Sequence, residues 1–153
     1  MNVIRRYVLA ALLGLLSASA FAAGGTADEA KSMVNRALDH IKKVGTEKAF
    51  KDFSDPANKD WHDRDLYLYA YNFAAVNVAH GANEKLIGKD LSELKTPDGK
   101  TLIKDMVQLA KTKGDGWIDY QWTNPTSKKI EQKSGYVKRI PGYEGFIGSG
   151  IYR

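Results

Sequence analysis

Asp65-Leu66-Tyr67-Leu68-Tyr69-Ala70-Tyr71 is the stretch on which the fold turns. Its period is two: Leu66, Leu68 and Ala70 fall on one face of an extended chain, and Tyr67, Tyr69 and Tyr71 fall on the other. A short connection around Asn72 leads to a second strand over residues 75–80, and the polar, turn-rich segment that follows ends in Pro97-Asp98-Gly99. Leu102, Ile103, Met106, Val107 and Ala110 then recur at helical spacing until Gly114-Asp115-Gly116 stops them. Three further strands are expected over 117–122, 129–139 and 146–152, with turns at Asn124-Pro125 and Pro141-Gly142.

Upstream of the tyrosines the chain is helical. Thr26-Ala27-Asp28-Glu29 fits a capping box, in which the Thr26 hydroxyl and the Glu29 carboxylate satisfy amides of the first turn. Ala30, Met33, Val34, Ala37, Leu38, Ile41 and Val44 form one apolar stripe, ended by Gly45. A short second helix is expected over 46–53, closed by Asp55-Pro56. The order is helices, two strands, helix, three strands, and short links favour antiparallel neighbours. The expected class is therefore α+β, an antiparallel sheet of about five strands with helices packed on one face. Gly148 and Gly150 share a strand face with Phe146 and Tyr152, which would let a helix backbone approach closely there.

Residues 1–22 read as a signal peptide. Arg5 and Arg6 are followed by the apolar run 7–16 and by small residues ending in Ala20-Phe21-Ala22, which predicts cleavage after Ala22. The run is about half of the ~20 residues a membrane span needs, so no membrane anchor is expected after cleavage. Residues 23–153 are then one exported, periplasmic domain. At 43% hydrophobic and 27% charged, the composition excludes disordered and collagen-like classes. The formal charge is +5 on the whole chain; losing Arg5 and Arg6 with no acid leaves +3, too little to argue for nucleic acid. Cysteine is absent, so disulfides, thiolate metal sites and cysteine nucleophiles are out.

Asp65-Leu66-Tyr67, Ala79-His80-Gly81 with Ile87-Gly88-Lys89 after it, and Gly116-Trp117 with Asp119-Tyr120 and Trp122 recur in an order that is familiar. Together with Lys133-Ser134-Gly135-Tyr136-Val137 and Ile147-Gly148-Ser149-Gly150-Ile151-Tyr152, they resemble the single Cache domain, type 2, over about residues 27–153. The resemblance implies a PAS-like sheet with a long N-terminal helix. It also implies a non-enzymatic module for ligand binding and signal transduction outside the cytoplasm, often sensing carboxylates such as acetate, propionate, lactate or pyruvate. Where the family's first hairpin often carries Asp and Gly, Asn72-Phe73-Ala74 stands here. Receptor forms continue into a transmembrane helix and a signalling domain, whereas this sequence stops at Arg153. It therefore reads as a free-standing form whose partner is a membrane receptor or histidine kinase, itself a monomer or weak dimer. An interaction module with a vestigial pocket is the alternative, and a small hydrolytic enzyme the weaker one.

A carboxylate taken out of water needs a cation or several directed donors. Tyr67, Tyr69 and Tyr71 on one strand face, if they meet Tyr120 and Trp122 on another, form an aromatic cup with polar tips, from which Tyr69, Tyr71, Tyr120 and Trp122 are the ligand candidates, although tyrosine also covers sheets for its own sake. Lys133 is the preferred cation. Arg64 is the second, with Asp63 and Asp65 as competing partners. Tyr136, Trp117 and His80 complete the candidates, each with a plain packing or hydrogen-bonding role as the rival reading. By strict alternation Lys133 and Tyr136 face opposite ways unless Gly135 hosts a bulge. The histidines lack metal-ligand spacing, Gly148-Ser149-Gly150 is no nucleophile elbow, and no metal, cofactor or catalytic residue is expected.

Overall fold

The local signals upstream produce helices as written. In the computed structural model, which describes residues 24–153, α1 spans Ala27–Val44 and its capping box is closed by Thr26 and Glu29. The Glu29 amide donates to the Thr26 hydroxyl at 3.3 Å, and the Thr26 amide donates to the Glu29 carboxylate at 2.8 Å. Gly45, at φ 84°, ends α1 and lets α2, Thr46–Ser54, turn back. The expected signal peptide and its expected cleavage site lie outside the described residues.

The alternating tyrosine stretch divides between two sheets. His62–Asp63 (β1) and Leu66–Tyr67 (β2) form a small antiparallel ribbon, turned at Arg64 with φ 56°. Tyr69–Asn72 (β3) joins the main sheet with Asn77–His80 (β4), Asp115–Thr123 (β5), Ile130–Arg139 (β6) and Gly145–Tyr152 (β7). The order is β4-β3-β7-β6-β5, antiparallel throughout. The turn between β3 and β4 is built by Asn72, whose Oδ1 accepts the amides of Ala74 and Val76 at 3.0 and 2.9 Å, while Ala75 takes the left-handed conformation at φ 62°. That turn consumes Ala75 and Val76, so the strand expected from residue 75 begins at Asn77.

The helices, expected on one face, divide between the two. Ala30, Met33, Val34, Ala37 and Ile41 of α1, with Ala49 and Phe53 of α2, pack on Leu68, Ala70, Tyr136 and Ile147. Leu102, Ile103, Met106 and Ala110 of α3, Leu102–Thr112, cover Tyr69, Tyr71, Val137 and Phe146 on the opposite face. Both faces of the sheet carry large rings or aliphatic groups, so both have to be covered. Gly148 and Gly150 likewise face away from α1. A Cβ at Gly148 would lie 2.5 and 2.6 Å from Tyr69 ring atoms, and one at Gly150 would lie 2.6 Å from the Ser134 carbonyl and 2.9 Å from the Lys133 Cε. The missing side chains admit a phenol ring and a lysine stem rather than a helix backbone.

Candidate functional site

Register decides the site. β6 runs without a bulge: Lys133 lies opposite Tyr120 and Tyr152, Gly135 opposite Ile118 and Gly150, and Tyr136 opposite Trp117 and Ser149. Lys133 therefore joins the tyrosine face, and Tyr136 turns toward α1. Between the sheet and α3 a small cavity is walled by Tyr67, Tyr69, Tyr71, His80, Tyr120 and Trp122, and closed by Leu102, Ile103 and Met106. Its free volume is about 10 Å³, room for one water, so seating even a short acid requires α3 side chains or Trp122 to move outward.

Lys133 stands behind this wall, only 1% exposed. Its ammonium donates to the Tyr67 hydroxyl at 2.8 Å and to the Tyr152 hydroxyl at 3.2 Å, and lies 4.0 Å from the Tyr67 ring centroid. Tyr152 in turn donates to the Thr123 carbonyl at 2.8 Å. Burial pushes the Lys133 ammonium well below the ordinary lysine range, with the Asp65 carboxylate pulling the other way. Burial also pushes the Tyr67, Tyr69, Tyr120 and Tyr152 hydroxyls upward, and Tyr71 up to about 12, so the phenols stay neutral.

His80 is fixed as a neutral donor. Its Nδ1 accepts the amides of Ala82 and Asn83 at 3.3 and 3.0 Å, which assigns the ring proton to Nε2. Burial, with Lys133 nearby, lowers its pKa to about 3. The unfolded chain binds a proton below ~6.5 that the folded one refuses, so stability falls as pH drops from there toward 3, by up to about 1.4 kcal/mol per unit. Melting curves between pH 6.5 and 4.5 should show this slope, and His80→Asn, which keeps an acceptor for the two amides, should flatten it. A wild-type curve already flat in that window would contradict the buried neutral ring.

Of the nine expected site residues, Tyr69, Tyr71, His80, Tyr120 and Trp122 line the cavity and Lys133 adjoins it. The other three lie elsewhere. Tyr136 donates to the Asp115 carboxylate on the α1 side, and Trp117, 38% exposed, leans on the Tyr136 ring at 5.4 Å. Arg64 holds Glu29 at 2.8 Å and Asp63 at 2.7 Å, and donates to the Gly24 carbonyl, tying the start of α1 to the β1–β2 ribbon. Tyr67 and Tyr152 were missing from the expected set. Tyr67 was legible from the same alternation as Tyr69, and Tyr152 from its face shared with Gly148 and Gly150.

A family model described as Cache domain matches residues 26–153. The methyl-accepting chemotaxis protein McpP of Pseudomonas putida is 32% identical over 91 residues, which make up 60% of this chain and 17% of that protein. The sensor histidine kinase MctS of Rhizobium johnstonii is 26% identical over 91 residues, 60% of this chain and 20% of that protein. This chain thus spans a minor part of the curated relatives it matches. Among solved structures, a methyl-accepting chemotaxis protein of Vibrio parahaemolyticus shares the fold at TM-score 0.70 and 22% identity, covering 82% of this chain and 86% of that one. A Cache chemosensory domain solved for the structural basis of carboxylic acid recognition superposes at TM-score 0.69 and 25% identity, covering 82% and 91%.

Proposed function

Since this chain belongs to the Cache domain family, we propose that it is an exported module that binds a short monocarboxylate, such as acetate, propionate, lactate or pyruvate, in the tyrosine-walled cavity beside Lys133. Cache domains of chemotaxis receptors and histidine kinases are extracytoplasmic sensors of small ligands rather than enzymes. The observation that carries the proposal is the buried Lys133 ammonium, whose hydrogen-bond partners among the described residues are the phenols of Tyr67 and Tyr152. A carboxylate brought into reach would supply the missing negative charge, and the Tyr69, Tyr71 and Tyr120 hydroxyls and the His80 Nε2–H would supply directed donors. One buried cation balances one carboxylate, so a dicarboxylate would leave its second charge against Leu102, Ile103 and Met106. Carboxylic acid recognition by the structural relative supports the same class. The exported domain would work in the periplasm, its leader removed after Ala22, and pass its state to a membrane receptor or histidine kinase.

Thermal melting against acetate, propionate, lactate, pyruvate, succinate and glycine tests this. A ligand at ~100 times its Kd stabilises the native state by about 2.7 kcal/mol, a shift of several degrees. At least one monocarboxylate should produce it, and succinate and glycine should not. A panel without any shift would instead favour an interaction module with a vestigial pocket, the reading that the small volume of the cavity supports.

A further inference from the structure

Among the described residues, the charged and titratable groups around the Lys133 ammonium leave it without an anion at hydrogen-bond distance. From β2 and β7 come the Tyr67 and Tyr152 hydroxyls, and from β3 the Tyr69 ring, its centroid 5.4 Å away. β5 contributes Tyr120 opposite it, and β4 contributes His80, whose Nδ1 is occupied by two backbone amides. Asp65 acts on it only at a distance, its carboxylate accepting the Gly25 amide at 2.7 Å. Glu131, on β6 itself, is held by Asn124 and Ser127. Asp119 and Arg153 stand at a surface hollow beside the base of the lysine, where Asp119 takes the Ser134 hydroxyl. An ammonium enclosed by neutral rings gives up its proton readily, whereas one beside a carboxylate keeps it.

Resting on the carboxylate reading, we infer that the site takes up a proton together with its ligand at Lys133, so that what it senses is the acid, anion plus proton, and not the anion alone. The sign follows from the two environments. In the free protein, burial lowers the affinity of Lys133 for its proton, and the amine is increasingly neutral as pH rises. In the complex the adjacent carboxylate restores that affinity. Between the two titrations binding consumes a proton and weakens with rising pH; below both it is level. The domain would therefore report a given acid concentration more strongly in an acidic surrounding, coupling acidity and nutrient in one occupancy.

Calorimetry with propionate from pH 6 to 9, in phosphate and in Tris, tests this on the purified chain. Expected are a Kd that rises with pH by up to about tenfold per unit on the alkaline limb and a buffer-dependent heat corresponding to uptake of up to one proton. Lys133→Arg, whose guanidinium stays charged throughout, should bind with a level profile. A slope surviving that exchange would belong to another group and would overturn the inference. So would wild-type binding with level affinity and no buffer-dependent heat, which leaves the carboxylate reading standing. Absence of any heat with propionate, acetate, lactate or pyruvate at every pH would overturn both. Should the arginine variant not fold, the wild-type comparison in two buffers decides alone.

Discussion

Replacing Lys133 with methionine is expected to raise the melting temperature of the free protein and abolish its stabilisation by monocarboxylates. The two effects oppose each other because one charge serves them both. In the free protein the ammonium is buried against phenols, and exchanging it for an apolar side chain of similar length removes a desolvation penalty of roughly several kcal/mol. The thioether would lie against the same rings on which the ammonium now rests, a favourable contact. Tyr67 and Tyr152 keep their mutual hydrogen bond at 3.2 Å, and Tyr152 keeps the Thr123 carbonyl, so no hydroxyl is orphaned. The gain in stability should appear as a shift of several degrees, and the roughly 2.7 kcal/mol of saturating ligand should disappear. A variant that is less stable and still responds to propionate would make Lys133 a structural residue and remove it from the site.

The second large effect is expected at Gly135 and Gly148, the floor on which Tyr69 lies. A Cβ at Gly148 would sit 2.5 Å from Tyr69 Cε2 and 2.6 Å from Cζ, and one at Gly135 would sit 2.5 Å from the Tyr69 hydroxyl and 2.9 Å from Tyr120 Cε1. Tyr69 is 3% exposed and packed edge-on between Tyr67 and Tyr71, so it has nowhere to retreat. Either alanine should cost about 1–3 kcal/mol through overpacking and distort the cavity. The two sites separate in combination with Tyr69→Phe. Deleting the hydroxyl removes the nearest atom above Gly135, so the pair with Gly135→Ala should recover part of the loss. Gly148→Ala meets the ring itself and should not be rescued. Urea denaturation of the single and double variants measures this. Equal rescue at both positions would show that Tyr69 does not rest on the floor in this way.

How much of this was legible along the chain depends on the range of the interaction. The capping box at Thr26 and Glu29, the stop at Gly45, the apolar stripes of α1 and α3 and the alternation of Tyr67, Tyr69 and Tyr71 are set by backbone geometry over a few residues, and each appears in the fold. Where the expectation missed, the cause was a pairing, turn or ion-pair partner, near or far along the chain, that residue periodicity does not specify. The strand through residues 65–71 splits because Leu66 and Tyr67 pair back on β1, while Tyr69 onward finds β4 and β7. Arg64 left the candidate site because Glu29, at the start of α1, reaches it across 35 positions of sequence.

Local pattern could say that Lys133 and Tyr136 face opposite ways in a regular strand, since successive side chains alternate across a sheet. It could not say that the strand is regular, because a bulge at Gly135 is chosen by both neighbours at once. Pairing of β6 with β5 and β7 settled this: it set Lys133 beneath Tyr67 and Tyr152 and sent Tyr136 to Asp115. Residue types and periodicity thus sufficed for a sheet with one tyrosine face. The burial of an ammonium among those tyrosines came from strand order and from α3 closing that face, which depend on contacts far apart in the chain that no short window contains.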